Sequence, residues 1–322
     1  VTGERGDAAC GGDAGVSGTR TQQARQNRPL RLHAEVRGAG PPVLVLHGFT
    51  GSLRTVDGVA DGLADAGYRA IGVDLPGHGR SPVPEAEASY TLESTCDALE
   101  ATLDALDVGA AHVLGYSLGG RVALGLAVLR PDRVRSALLV GATAGIADPG
   151  ARAARVCADE ALARELERDG IAPFVERWMA LPLFAGQRER LGEVAWGTAR
   201  QERLARRPEG LARSLRGIGQ GAQPPLHDRL PQVRIPVLLA VGEEDTRFRA
   251  VAEDLAARLP RAEIQQVPRA GHAAHLENPG AFLAGARDFL RRAETRRTAD
   301  APASDPSQPT HPAHPKHRSV FP

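Results

Sequence analysis

The sequence predicts an α/β protein, a mainly parallel sheet with helices on both faces, and three observations predict it. Short runs of Val, Leu and Ile alternate along the chain with helical stretches, as strand–helix–strand units require. One strand-like run, Ala111–Leu114, meets a helix-like run, Val122–Leu129, across the turn Gly115-Tyr116-Ser117-Leu118-Gly119. Between Gly145 and about Pro231 the strand pattern stops and only helical segments remain, as in a helical cap inserted over one end of a sheet.

The elements follow in order. Leu30–Val36 reads as a strand, Gly38–Pro42 as a turn, and Val43–Leu46 as the next strand. A helix over roughly Leu53–Ala66 leads to a strand at Arg69–Asp74, which ends in Pro76-Gly77-His78-Gly79-Arg80-Ser81. A helix spans about Leu92–Leu106 and precedes the strand and turn around Ser117. Ser136–Gly141, Pro236–Val241 and Glu263–Val267 supply the later strands, with helices at about Phe248–Leu259 and Pro279–Arg292. The folded domain is expected over 28–294, with the cap at about 145–231. Val1 to about Asn27 has no hydrophobic period, and Thr295–Pro322 is rich in Pro, Ser, Thr and His; both are expected to be disordered tails. His311, His314 and His317 are spaced like ligands, but a Pro-rich tail cannot preorganise a metal, and no metal or organic cofactor is expected.

G-x-S-x-G between a strand and a helix is the nucleophile elbow of the α/β-hydrolase fold. Ser117 at so sharp a turn needs a strained backbone, and flanking glycines remove the collisions that side chains two residues away would cause. The helix after Ser117 aims its free N–H groups and positive dipole end at the hydroxyl. A serine so placed needs a base, and the base needs a carboxylate, in the chain order Ser, Asp or Glu, His. Asp245 follows the strand ending at Val241, at the carboxyl end where open sheets place their sites. His272 follows the last strand in Ala270-Gly271-His272. Glu243, Glu244 and His275 are rivals within a few residues; Asp245 is preferred because the acid usually lies just past the strand-end Gly, and His272 because a Gly precedes it. Two backbone N–H groups, of Phe49 and Leu118, are expected to form the oxyanion site. His78 is read as structural. Most cap arginines are read as solvated helix faces, with one or two free to pair with an anionic ligand.

Composition narrows the partners. The 322 residues carry 40 basic and 39 acidic side chains, so neither nucleic acid nor an anionic membrane surface is an implied partner. No apolar run approaches the roughly 18 residues of a membrane span, and the N-terminus lacks the apolar region of a secretory signal. Cys10, Cys96 and Cys157 are odd in number and far apart, and read as reduced thiols in a cytoplasm. Oligomeric state is not legible.

Several motifs together carry a resemblance covering about Leu30–Leu290. HGFTGS (His47–Ser52), DLPGHGRS (Asp74–Ser81) and GYSLGGR (Gly115–Arg121) are joined by WMALPLF (Trp178–Phe184) and SLRGIGQGAQPPL (Ser214–Leu226). VGEEDTRF (Val241–Phe248) and AGHAAHLENP (Ala270–Pro279) complete the set. In these the chain resembles the 2-succinyl-6-hydroxy-2,4-cyclohexadiene-1-carboxylate synthases of menaquinone biosynthesis. The resemblance implies a carbon–oxygen lyase that eliminates pyruvate from 2-succinyl-5-enolpyruvyl-6-hydroxy-3-cyclohexene-1-carboxylate, with Ser117 as a general base activated by His272 and Asp245. It implies that Arg121, Arg155 and Arg203 face the tricarboxylate and that Tyr116 and Trp178 line the pocket. The alternative from a different reaction class is a serine hydrolase of an ester or carbon–carbon bond, with Ser117 as nucleophile in the same triad. A non-catalytic receptor is disfavoured by the complete triad.

Overall fold

The computed structural model describes residues 30–300. Its centre is a seven-stranded sheet: β1 Ala34–Arg37, β2 Pro42–Leu46, β3 Arg69–Val73, β4 Ala111–Tyr116, β5 Val134–Val140, β6 Val237–Gly242 and β7 Ala262–Val267. The order across it is β1-β3-β2-β4-β5-β6-β7. Only β1 runs antiparallel, against β3, and every later pairing is parallel. The central strands read as unbroken apolar runs because both faces are covered. In β2, Leu44 and Leu46 enter one core while Val43 and Val45 enter the other. β6 divides in the same way, with Leu239 and Val241 on one side and Leu238 and Ala240 on the other. That alternation is the two-residue period of a strand.

The helices are α1 Asp57–Asp65, α2 Leu92–Ala105, α3 Leu118–Leu129, α4 Pro149–Asp169, α5 Ile171–Met179, α6 Gln187–Leu204, α7 Pro208–Ile218, α8 Thr246–Arg258, the single turn α9 Ala274–Glu277, and α10 Pro279–Asp300. The expected helix at Leu53–Ala66 divides: Ser52 caps a 3-10 turn at Leu53–Val56 through a capping box, and α1 follows. The first strand starts at Ala34 rather than Leu30, because β1 pairs only where β3 lies opposite. The expected end of the domain at 294 is too early. Helix α10 runs on to Asp300, held by Arg297 pairing with Glu294 one turn back. The remainder of both expected tails, with the three tail histidines and Cys10, lies outside the described residues.

Helices α4 to α7 form the cap, with no strand among them, and a third core of Ala163, Leu166, Phe174, Leu211, Ala212 and Leu215 holds them together. Among the described residues no helix is long and apolar enough to cross a membrane.

Candidate active site

Strand β4 delivers the chain to Ser117 with φ 51° and ψ −106°, a left-handed region that a side chain normally avoids. The glycines around it answer specific contacts. A Cβ at Gly115 would sit 2.2 Å from the Gly119 carbonyl oxygen, and one at Gly119 would sit 2.5 Å from that of Leu46. The strained turn therefore exists because β4 and α3 can approach backbone to backbone. It leaves the hydroxyl at the head of α3, facing the carboxyl ends of β6 and β7.

Asp245 stands where β6 gives way to α8. Its Oδ1 accepts from the Phe248 N–H at 3.1 Å, capping the helix, while Oδ2 accepts from His272 Nδ1 at 3.0 Å. A carboxylate can only accept, so it fixes the proton on Nδ1 and leaves the Nε2 lone pair for Ser117 Oγ, 3.3 Å away. The His272 ring is 3 % exposed and packs against Phe248 with centroids 4.4 Å apart. Each rival is placed away from the Ser117–His272 contact. Glu243 accepts from the Arg269 N–H, and Glu244 pairs with Arg190. His275 lies buried against Tyr116, its centroid 4.4 Å away, with neither ring nitrogen bonded, and burial pulls it down to about 3.

Ser117 and His272 open into a cavity of about 130 Å³. Phe49 and Leu118, whose N–H groups have no acceptor among the described residues, line it as well. Phe49 reaches it because His47, two residues before, is tied down. Its Nδ1–H donates to Gly48 O at 2.8 Å and its Nε2 accepts from the Leu75 N–H at 3.0 Å. Buried and pulled down to about 4, His47 stays neutral in that role. His78 is held in the same layer: its Nδ1 bonds Pro76 O, and its ring packs on His47 and Phe49.

Arg121, one helical turn beyond Ser117, also lines this cavity and is 9 % exposed. Its Nη1 donates to the Ile218 carbonyl and the Gln223 side chain, both neutral acceptors. Burial, then the nearby Arg155, lowers its pKa to about 10 against the weaker pull of the Asp159 carboxylate, so it remains a cation with no carboxylate in direct contact. Arg155 reaches the same cavity from α4, with Nε on Asp159 at 2.7 Å and Nη1 on Gln220 at 2.9 Å. Trp178 closes the cap side, its indole Nε1 buried and unbonded.

Two of the expected substrate-binding residues border a second cavity. Tyr116 and Arg203 do not line the cavity of Ser117; they line a neighbouring one of about 550 Å³. Tyr116 alternates with Ser117 and so points to the opposite side of the turn, and α6 brings Arg203 down beside it. Asp159, Gln220 and Gln223, which orient the two cavity arginines, escaped the sequence reading. Asp159 carries one signal, its position four residues after Arg155 on a helix; the glutamines carry none beyond their place in the Ser214–Leu226 motif.

The comparisons agree with the fold. The family described as alpha/beta hydrolase fold matches residues 41–279. The chain is accordingly an α/β-hydrolase-fold protein. A Bacillus subtilis (strain 168) protein provisionally named 2-succinyl-6-hydroxy-2,4-cyclohexadiene-1-carboxylate synthase is 37% identical over 78% of this chain and 91% of its own. The Escherichia coli synthase of that name is 31% identical over 81% and 99% of the two chains. The solved structure of MenH from S. aureus superposes with a TM-score of 0.77 at 30% identity, over 81% of this chain and 99% of the other. The chain belongs to the 2-succinyl-6-hydroxy-2,4-cyclohexadiene-1-carboxylate synthase family, and is an enzyme of its lyase class.

Proposed function

We propose that this enzyme eliminates pyruvate from 2-succinyl-5-enolpyruvyl-6-hydroxy-3-cyclohexene-1-carboxylate, a step of menaquinone biosynthesis, with Ser117 as the base. His272 Nε2 takes the Ser117 hydroxyl proton as Oγ takes a proton from the substrate ring. The C–H electron pair becomes a ring double bond, and the electrons displaced along the ring break the C–O bond to the enolpyruvyl group. Enolpyruvate leaves with that pair and becomes pyruvate on protonation. Asp245 steadies the imidazolium that His272 becomes. The N–H groups of Phe49 and Leu118 hold the negative charge that develops on the substrate. Arg121 and Arg155 meet its carboxylates, Trp178 packs against it, and Arg203 and Tyr116 serve it from the adjoining cavity.

One observation carries this reading over ester hydrolysis: the Arg121 guanidinium is buried beside Ser117 and hydrogen-bonds only neutral groups, the nearby Asp159 carboxylate being paired with Arg155. A buried cation without a carboxylate in direct contact is costly, and an anionic substrate offsets that cost, whereas an apolar acyl chain does not. Arg121→Lys keeps the charge but loses the planar fork. It is expected to lose about 10–100-fold in kcat/KM for the tricarboxylate, measured by coupling pyruvate release to lactate dehydrogenase. Unchanged kcat/KM in Arg121→Lys, with brisk cleavage of p-nitrophenyl acetate by both forms, would favour the hydrolase.

A further inference from the structure

Two carboxylates hold His272, one by its ring and one by its main chain. Asp245 takes the ring. The peptide N–H groups on either side of the histidine both end on Glu277: that of Gly271 donates to Oε2 at 2.7 Å, and that of Ala273 to Oε1 at 3.2 Å. The single turn α9 makes this possible, because it folds Glu277 back over the residues that precede it. Capping of that turn accounts for the Ala273 bond. It does not account for the Gly271 bond, which lies on the far side of His272.

Two donors from α6 converge on the same carboxylate. Arg190 Nε donates to Oε2, and Gln187 Nε2 donates to Oε1 at 3.3 Å. Each oxygen therefore accepts one backbone bond and one side-chain bond, which fills the four or so acceptor positions a carboxylate has. The Glu277 side chain is 1 % exposed, and a carboxylate buried so deeply is costly without such partners. Arg190 uses its other donors on Glu244 and the Ala185 carbonyl. Its guanidinium also lies against Gly271, where a Cβ would meet Nη2 at 2.7 Å. The glycine before the histidine thus leaves room for the clamp.

We infer that Glu277 is a positioning residue for His272: by fixing the peptide groups on both sides, it sets where Nε2 meets Ser117 Oγ, 3.3 Å away. Asp245 settles the tautomer and rotation of the ring, and Glu277 settles the point from which the ring hangs. The inference rests on the triad contacts and takes only its assay from the proposed reaction. A displacement of about 1 Å can cost roughly 100-fold in rate, so a residue that never touches substrate can govern turnover. Glutamine cannot replace it. Whichever way the amide is turned, an NH₂ group takes the place of one acceptor oxygen and faces a backbone donor and an α6 donor. Aspartate keeps the charge but is one methylene shorter, and falls short of the pair of N–H groups.

Glu277→Gln and Glu277→Asp are measured alone and in a His272→Ala background, with pyruvate release as the readout. Alone, each is expected to lower kcat about 10–100-fold with KM within about twofold of wild type, because the substrate contacts are untouched. In the His272→Ala background each is expected to cost less than about twofold, because the imidazole it misplaces is gone. Equal losses in both backgrounds would show Glu277 acting on the cap or the fold instead, and would overturn the inference. So would a folded variant of either kind with wild-type kcat. A crystal structure of Glu277→Gln supplies a readout independent of the reaction. Nε2 is expected to leave hydrogen-bond reach of Ser117 Oγ, and a contact kept at the wild-type distance overturns the inference. If the Gln variant does not fold, the Asp variant carries both measurements. If the wild type releases no pyruvate, the proposed reaction fails, and the crystallographic contact alone decides the role of Glu277.

Discussion

At the scale of single residues, the division of labour among three neighbouring carboxylates is the most exposed claim. Asp245 Oδ2 is bonded to His272, whereas Glu243 is occupied by the Arg269 N–H and Glu244 by Arg190. Asp245→Asn can no longer hold the proton on Nδ1 by acceptance alone, so turnover should fall by roughly 10⁴-fold, as tautomer loss does in triads. Glu243→Gln and Glu244→Gln should stay within about threefold of wild type, since exposed polar contacts contribute little. Steady-state kinetics on the three variants checks this, and an active Asp245→Asn beside an inactive glutamine variant reverses the assignment. The triad was legible because each member needs a particular chemistry at the end of a particular strand. Which of the two cavities Arg203 lines was not legible, because a helical period gives the face of a residue relative to its own helix and not which cavity that helix overhangs.

At the scale of elements, the cap is seated by close backbone contact. Gly210 in α7 rests on Gly77 of the loop after β3, so that a Cβ at 210 would lie 2.1 Å from the Gly77 carbonyl oxygen. Two turns further on, Gly217 packs on Tyr90 in the same fashion, with its Cβ position 2.3 Å from that of Tyr90. The same helix offers Ser214, Leu215 and Ile218 to the reaction cavity. Gly210→Ala should therefore lift α7 from the core, lowering stability by about 1–3 kcal/mol, as overpacking does, and reducing kcat/KM as the cavity wall shifts. A melting curve and a kinetic assay identical to wild type would show that the cap seats elsewhere. The sheet was more legible than this docking. Central strands buried on both faces leave continuous Val and Leu runs, but α4 buries only Asp159, Ala163 and Leu166 in 21 residues and shows almost no apolar stripe. The early 3-10 turn at Leu53–Val56 was hidden for a related reason: its caps are local polar bonds that leave no periodic signal.

At the scale of the whole molecule, buried histidines set the response to acid. Burial holds His47 and His112 at about 4 and His78 and His275 at about 3, all below the ordinary 6.5. The unfolded chain takes up these protons as pH falls below about 6.5, while the folded one refuses them until near 4 or lower, so stability is full above that range and lost through it. Four such groups amount to on the order of 10 kcal/mol by pH 4, comparable with the whole stability of a domain. Glu294 acts in the same direction but later. Burial raises it, the Arg297 and His112 contacts outweigh burial, and it is held at about 2. The account predicts an acid unfolding midpoint between pH 6.5 and 4, followed by circular dichroism at constant ionic strength. Native stability that stays level down to pH 4 would contradict it.

The central claim is that Ser117 here removes a proton and does not attack a carbonyl. The most direct measurement mixes enzyme with freshly generated 2-succinyl-5-enolpyruvyl-6-hydroxy-3-cyclohexene-1-carboxylate, follows pyruvate by coupled oxidation of NADH, and records the intact protein mass during turnover. The account predicts pyruvate release far above the spontaneous rate, abolished in Ser117→Ala, with no mass added to the protein. A covalent adduct on Ser117 during turnover, or pyruvate formation no faster than the spontaneous decay, would contradict it.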